Sequence, residues 1–390
     1  CTTTITQVKK MSMSPRSFII SSAHNYYQAL CGFRPVSEML RVFREWCLAS
    51  PWLAKRAAVL STVWSDGAIP TARTAPDYTL PSNYSGVSWL AWDISAPGAH
   101  PMNATAWFEP IDPRARSRDL CLVHQGHAGI APGTRPVALE FAQWVHRELN
   151  CDMLYMWMPL YGPNEQHGYP PHHSFFAQWQ AAGDPLRTLR YFLEPPALAV
   201  NWALARGYDD VYMTGLSGGG WTTTVYAAID PRIRVSLPLA GSLPWYLFPD
   251  HTVGDYEQRL QPNESVWYLT KANFTELYVL AALEPARVSV QVLHEDDPCC
   301  FHGRGRHAAI LGYGERVAAA IGGGGGTFSS AISDWAVHEW DDRSRAIVAA
   351  ALREANRAPR APRLDRLPCD ILHHDASAVP CPYVGDNGLV

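Results

Sequence analysis

The sequence has no run of 18 apolar residues, so no stretch of it reads as a helix able to cross a bilayer. Charge is sparse, at 17% of 390 residues, and the formal net charge is only −4. Outside the tail stretch Arg357–Arg366 there is no cluster of Lys and Arg. A nucleic-acid binder neutralises phosphates with such clusters, so that class is excluded. Neither an HExxH nor a CxxC pair is present. The five glycines Gly322–Gly326 precede an expected strand, where a phosphate-binding loop would precede a helix. No cofactor and no metal ion is therefore expected. The first twenty residues also lack an apolar signal core, Phe18-Ile19-Ile20 being too short.

Apolar residues are abundant, at 47%, which excludes a disordered chain because their burial can offset the entropy of ordering. The nine cysteines are an odd number, so at least one has no partner within the chain. Four Asn-X-Ser/Thr sequons occur, at Asn83, Asn103, Asn263 and Asn273. Cysteines and sequons together point to the secretory pathway or the extracellular space.

Three regions are expected. Residues 1–84 form an extension, partly helical, with Ser37–Leu60 helical but interrupted at Pro51. Residues 356–390 form a Pro/Arg-rich strap holding Cys369 and Cys381. Between them, over 85–355, strand and helix patterns alternate. Strands are expected at 87–94, 105–110, 119–123, 152–158, 210–214, 233–239, 288–293 and 327–332. Helices are expected at 136–149, 186–206 (interrupted at Pro195-Pro196), 218–229, 307–321 and 341–355. Such alternation implies right-handed βαβ units, hence an α/β fold with a mostly parallel eight-stranded sheet covered by helices on both faces. The aromatic-rich segment 242–273 breaks the rhythm and reads as a lid, a pocket wall or a packed insertion.

The chemistry centres on Val211–Trp221, VYMTGLSGGGW. A strand runs into Gly215-Leu216-Ser217-Gly218-Gly219 and then a helix, the pattern of a nucleophile elbow, whose tight turn exposes the serine oxygen above the sheet. Composition alone yields the bare motif in about one chain in eight, so its context decides. A later strand ends in His294-Glu295-Asp296-Asp297, and the last strand is followed by His338. The order Ser, acid, His is the one this turn requires. Ser217 is the expected nucleophile, His338 the base and Asp297 the acid that orients it, with Asp296 as the alternative acid. The oxyanion donors are expected to be the backbone N–H of Gly218 and one from His124-Gln125-Gly126-His127, either His127 or Gln125.

These motifs resemble the α/β-hydrolase superfamily, and within it the serine hydrolases related to acetyl xylan esterase, dienelactone hydrolase and prolyl oligopeptidase. The resemblance spans about residues 85–355. It implies an acyl-serine mechanism on a small-molecule or carbohydrate-linked carboxylic ester, without cofactor, metal, nucleic acid or membrane span. A serine peptidase, or a silent binding protein on the same scaffold, is the alternative. Oligomeric state and acyl specificity stay open.

Other residues carry less. Cys299-Cys300 either form a vicinal disulfide or pair elsewhere, for example with Cys121 or Cys151. His167, His172 and His173 lie in a loop leaving the carboxyl edge of the sheet, where they line a substrate entrance. Asp255 and Glu257, in the aromatic-rich segment, read first as surface charge, with pocket residues as the alternative. Trp221, Trp245, Trp267, Trp335 and Trp340 fall near the motifs and read first as packing.

Overall fold

The computed structural model describes residues 51–82, 86–94, 101–112, 117–127, 137–181, 185–247, 255, 257, 270–322 and 325–357. The expected helix before Pro51, the terminal strap with Cys369 and Cys381, and most of 242–273 lie outside them. The elements in chain order are α1 (Pro51–Val63), β1 (Tyr78–Pro81), β2 (Ser88–Ile94), β3 (Met102–Glu109), β4 (Asp119–His124), α2 (Val137–Leu149) and β5 (Asp152–Met156). They continue as α3 (His172–Ala181), α4 (Pro185–Ala205), β6 (Asp210–Leu216), α5 (Gly218–Ile229), β7 (Ile233–Leu239), α6 (Phe274–Ala281), β8 (Val288–His294), α7 (His307–Ile321), β9 (Thr327–Ser333) and α8 (Asp342–Arg357).

The sheet has nine strands in the order β1-β2-β3-β5-β4-β6-β7-β8-β9. Pairings from β1 to β5 are antiparallel along β1-β2-β3-β5, and those from β5 through β9 are parallel. Parallel strands all end on one rim, so every loop that follows them opens on the same side.

Side-chain alternation explains the two cores. In β4, Leu120 and Leu122 face one apolar cluster, and Cys121 and Val123 face the other. The first cluster is closed by residues of α1, α3, α4, α5, α6 and α7, including Val59, Phe176, Leu193, Trp221, Leu277 and Tyr313. The second is closed by α2 and α8, through Phe141, Val145, Val348 and Leu352. Cys121 in β4 is joined to Cys151, at the start of β5, across the second cluster.

Three sequence expectations change. The sheet has nine strands because Tyr78–Pro81 adds an exposed antiparallel edge, too short and too evenly exposed to show alternation. Pro51, where a break was expected, opens α1, since a missing N–H is tolerated in the first turn. Pro195-Pro196 do not interrupt α4, where both lie within one 21-residue helix. Its run Leu189–Ala203 is almost wholly buried, and that burial offsets the lost backbone bonds. The loop expected to reach residue 174 ends earlier, because α3 begins at His172.

One ion-pair cluster ties α1 to α5 and α6. Arg56 donates to Ala228 O (2.9 Å), to Leu280 O (2.9 Å) and to Glu284. Arg287 donates to Ile233 O (2.8 Å), Ala227 O (2.6 Å) and Glu284 Oε2 (2.7 Å). Burial works against the Glu284 charge, but Arg56 and Arg287 outweigh it and hold its pKa at about 2. A depressed carboxylate pKa contributes stability above the unfolded value, near 4.3, that is lost as pH falls towards the folded one. Glu284→Gln is expected to cost about 3 kcal/mol at neutral pH. In urea titrations the gap to wild type should shrink between pH 4.5 and pH 2; a gap constant over that range would contradict the assignment.

Candidate active site

The turn between β6 and α5 is the most constrained backbone in the site. Ser217 has φ 58° and ψ −123°, a left-handed conformation that side chains seldom adopt. It is held there from both sides. Ser217 N–H donates to Leu239 O at 2.9 Å, and Ser217 O accepts from Trp221 N at 2.9 Å. The motif glycines are needed for close approach. A Cβ on Gly215 would lie 2.3 Å from Gly219 O, and one on Gly219 would lie 2.1 Å from His124 O. The serine therefore sits at the carboxyl end of β6 and at the N-terminus of α5, whose first N–H groups have no partner within the helix.

Asp297 and His338 leave the same rim, after β8 and β9. His338 Nδ1 lies 2.8 Å from Asp297 Oδ2 and 3.0 Å from Oδ1. A carboxylate only accepts, so Nδ1–H donates and Nε2 keeps its lone pair, the tautomer a general base needs. Asp297 Oδ1 also accepts from Cys299 N–H (2.8 Å) and Cys300 N–H (3.1 Å). Its side chain is fully buried. The alternative acid, Asp296, is instead exposed and paired with Arg304, which lowers its pKa; its carboxylate is engaged away from His338. Cys299 and Cys300 are joined to each other, and Cys121 to Cys151, so the cross-pairings left open by the sequence do not occur.

The loops carrying the acid and the histidine are zipped together. Glu295 N–H donates to Ser333 O (2.7 Å) and Asp296 N–H to Trp335 O (3.2 Å), extending the β8–β9 ladder beyond the strands. His294 Nε2 meets Glu339 O at 2.8 Å, one residue from His338. Trp340 stacks on Phe141 of α2 with centroids 3.8 Å apart. Sequence patterns do not reveal these supports, because each is a tertiary contact.

The loop after β4 lies directly on the serine. A Cβ on Gly126 would come within 2.5 Å of Leu216 O and 2.8 Å of Ser217 Cβ, and the His127 ring packs against Gly218. One expectation fails here. The Gln125 N–H donates to Met156 O at 2.9 Å, as a continuation of the β4–β5 pairing, so it does not face an oxyanion. Gln125 Oε1 accepts from Tyr155 Oη–H (2.7 Å), which fixes the loop. His124 is buried and its pKa is pushed down to about 4, so it stays neutral.

The His127 side chain belongs to a second group that the sequence did not foresee. Its Nδ1 lies 3.3 Å from Asp255 Oδ2, and its Nε2 lies 3.1 Å from Glu257 Oε1. His172 Nε2 is 3.9 Å from Glu257 Oε2, and His173 Nε2 is 3.4 Å from Asp255 Oδ1. Glu257 is 0% exposed and Asp255 largely covered, so the expectation of surface charge is corrected: both turn inward onto imidazoles. Burial opposes charge on His127, but Glu257 and Asp255 outweigh it and raise its pKa. Burial likewise opposes charge on Glu257, yet His127 holds its pKa below the carboxylate range. His167 is not part of this group among the described residues.

Strand order, crossovers and the serine turn now define the architecture. The chain has the α/β-hydrolase fold. No family model and no curated protein matches its sequence. Solved structures that resemble it share little sequence. Acetyl xylan esterase 1 from Thermoanaerobacterium is 13% identical, with TM-score 0.49, covering 83% of this chain and 99% of that one. An acetyl xylan esterase from Paenibacillus is 15% identical, with TM-score 0.46, over 72% of this chain and 88% of its own. A puromycin-hydrolysing peptidase from Mycobacterium tuberculosis is 16% identical, with TM-score 0.45, over 70% of this chain but 39% of that one. Among the described residues, no helix is long and apolar enough to cross a membrane.

The glycine packing gives a direct check. Gly126→Ala should destabilise the fold by about 1–3 kcal/mol, because backbone atoms stand where its Cβ would go. Gly312→Ala, inside α7 with only Arg316 Nη1 at 3.5 Å, should instead stabilise it by up to about 1 kcal/mol. Chemical denaturation measures both; equal effects would show that the loop after β4 does not press on the serine turn.

Proposed function

We propose that the chain is a serine hydrolase cleaving carboxylic esters through an acyl-Ser217 intermediate. The observation that carries this reading is the pairing of His338 Nδ1 with buried Asp297 on the rim where the strained Ser217 turn also opens. In this mechanism His338 Nε2 takes the Ser217 proton as the oxygen attacks the ester carbonyl. Asp297 holds the tautomer and stabilises the imidazolium that forms. The tetrahedral oxyanion is met by the backbone N–H groups of Gly218 and His127. Collapse expels the alcohol, protonated by His338, and water then repeats the sequence to release the acid.

The substrate is a small or carbohydrate-linked ester. Two joined cysteine pairs fit an oxidising compartment, so the protein acts in the secretory pathway or outside the cell. Asn103, exposed on β3, is a sequon open to a glycan.

Ser217→Ala should abolish turnover of p-nitrophenyl acetate and labelling by a fluorophosphonate probe, with a nearly unchanged melting temperature. Asp297→Asn should lower kcat by about 10³–10⁴-fold, since the imidazole loses its orienting acceptor. Retained turnover in Ser217→Ala would remove the nucleophile. Faster cleavage of peptide p-nitroanilides than of esters would make the chain a peptidase on the same machinery.

A further inference from the structure

The group around His127 has the make-up of a metal site. The imidazole centroids of His127, His172 and His173 form a nearly equilateral triangle with sides of 5.0, 5.1 and 5.0 Å. One nitrogen from each ring lies within 4.8 Å of the others, and the same holds for His127, Asp255 and Glu257. His172 shows how the group is primed. Its Nδ1 lies 2.6 Å from Pro159 O, a carbonyl that only accepts, so Nδ1 carries a hydrogen, and in the neutral ring Nε2 presents a lone pair. That Nε2 is buried, makes no hydrogen bond, and faces Glu257 Oε2 at 3.9 Å. A lone pair turned towards a carboxylate in a dry site is repulsive unless positive charge lies between them. Neither ring nitrogen of His127 makes a hydrogen bond of proper geometry, although carboxylate oxygens lie beside both.

We infer that His127, His172 and His173 bind one divalent transition-metal ion of the zinc class, with Glu257 and Asp255 as the outer carboxylates that orient the imidazoles. Imidazole ligands are a set zinc accepts, and an outer carboxylate on a ligating histidine is the usual support. Bonds of about 2.0–2.1 Å place neighbouring tetrahedral ligand atoms about 3.4 Å apart, and one nitrogen from each of the three rings already lies within 4.8 Å of the other two. The ion would join the loop after β4 that lies on Ser217 to the N-terminus of α3, and its charge would hold the Asp255 and Glu257 carboxylates against both. It takes no part in the ester chemistry. The inference stands apart from the esterase reading, because metal binding is read without turnover.

The test uses the full chain, stripped with dipicolinate and dialysed against zinc chloride. Wild type should hold one zinc per chain by elemental analysis. Its melting temperature should rise by roughly 5 °C at free zinc a hundredfold above the dissociation constant. With cobalt chloride it should show the intense visible bands of a four-coordinate ion. Glu257→Gln should lose the zinc at least tenfold in affinity. His173→Ala, at a half-exposed position, supplies a second variant should Glu257→Gln fail to fold, and should weaken binding similarly. Zinc below a tenth of an equivalent in wild type, or undiminished affinity in the folded variants, would overturn the inference and leave the group as a proton-bridged pair of carboxylates and imidazoles.

Discussion

The site depends on a backbone held where side chains rarely go. Ser217 has a positive φ, and nothing intrinsic to serine favours it. The conformation persists because the N-terminus of α5 is pressed onto the ends of the neighbouring strands so closely that only glycine fits at the contacts. Gly219 meets His124 O, Gly220 meets Leu239 O, and Gly126 meets the serine itself. Strain at one residue is thus sustained by packing at three others. The outcome is a hydroxyl at the positive end of a helix, on the rim where β6, β8 and β9 end.

The partner groups are positioned by a different means. Asp297 and His338 lie on loops, yet backbone pairing between Glu295 and Ser333 and between Asp296 and Trp335 carries the order of the sheet beyond its strands. The acid is fixed by two backbone N–H donors, and the histidine loop by His294 below and the Trp340–Phe141 stack behind. Each side chain of the proposed triad is therefore one or two contacts from a strand, as a pre-organised site requires.

Much of this was legible in the sequence, because the signals were local or ordinal. Strand–turn–helix around Gly215–Gly219 is a local pattern, and the order Ser217, Asp297, His338 follows from a parallel sheet whose loops share a rim. What was not legible depends on contacts distant in sequence. Tyr78–Pro81 becomes a strand only because β2 offers it an edge. The paired prolines of α4 stay helical because the segment is buried. Gln125 stands in the sequence as the alternative to His127 as an oxyanion donor, and only the fold shows that Met156 O accepts its N–H. Asp255 and Glu257 read as surface charge because no neighbour in sequence explains their burial; the explanation is His127, more than a hundred residues earlier.

The imidazole of His127 connects the two halves of the account. Its backbone belongs to the loop that lies on the serine, and its side chain belongs to the carboxylate and histidine group behind Gly218. The central claim remains the convergence of Ser217, His338 and Asp297. Rapid acid quenching during turnover of an activated ester, followed by intact and peptide mass analysis, tests it most directly. The account predicts a burst of about one acyl group per chain, carried on the peptide containing Ser217 and absent when His338 is replaced by alanine. An acyl group on another residue, or turnover with no covalent intermediate under any quenching condition, would contradict it.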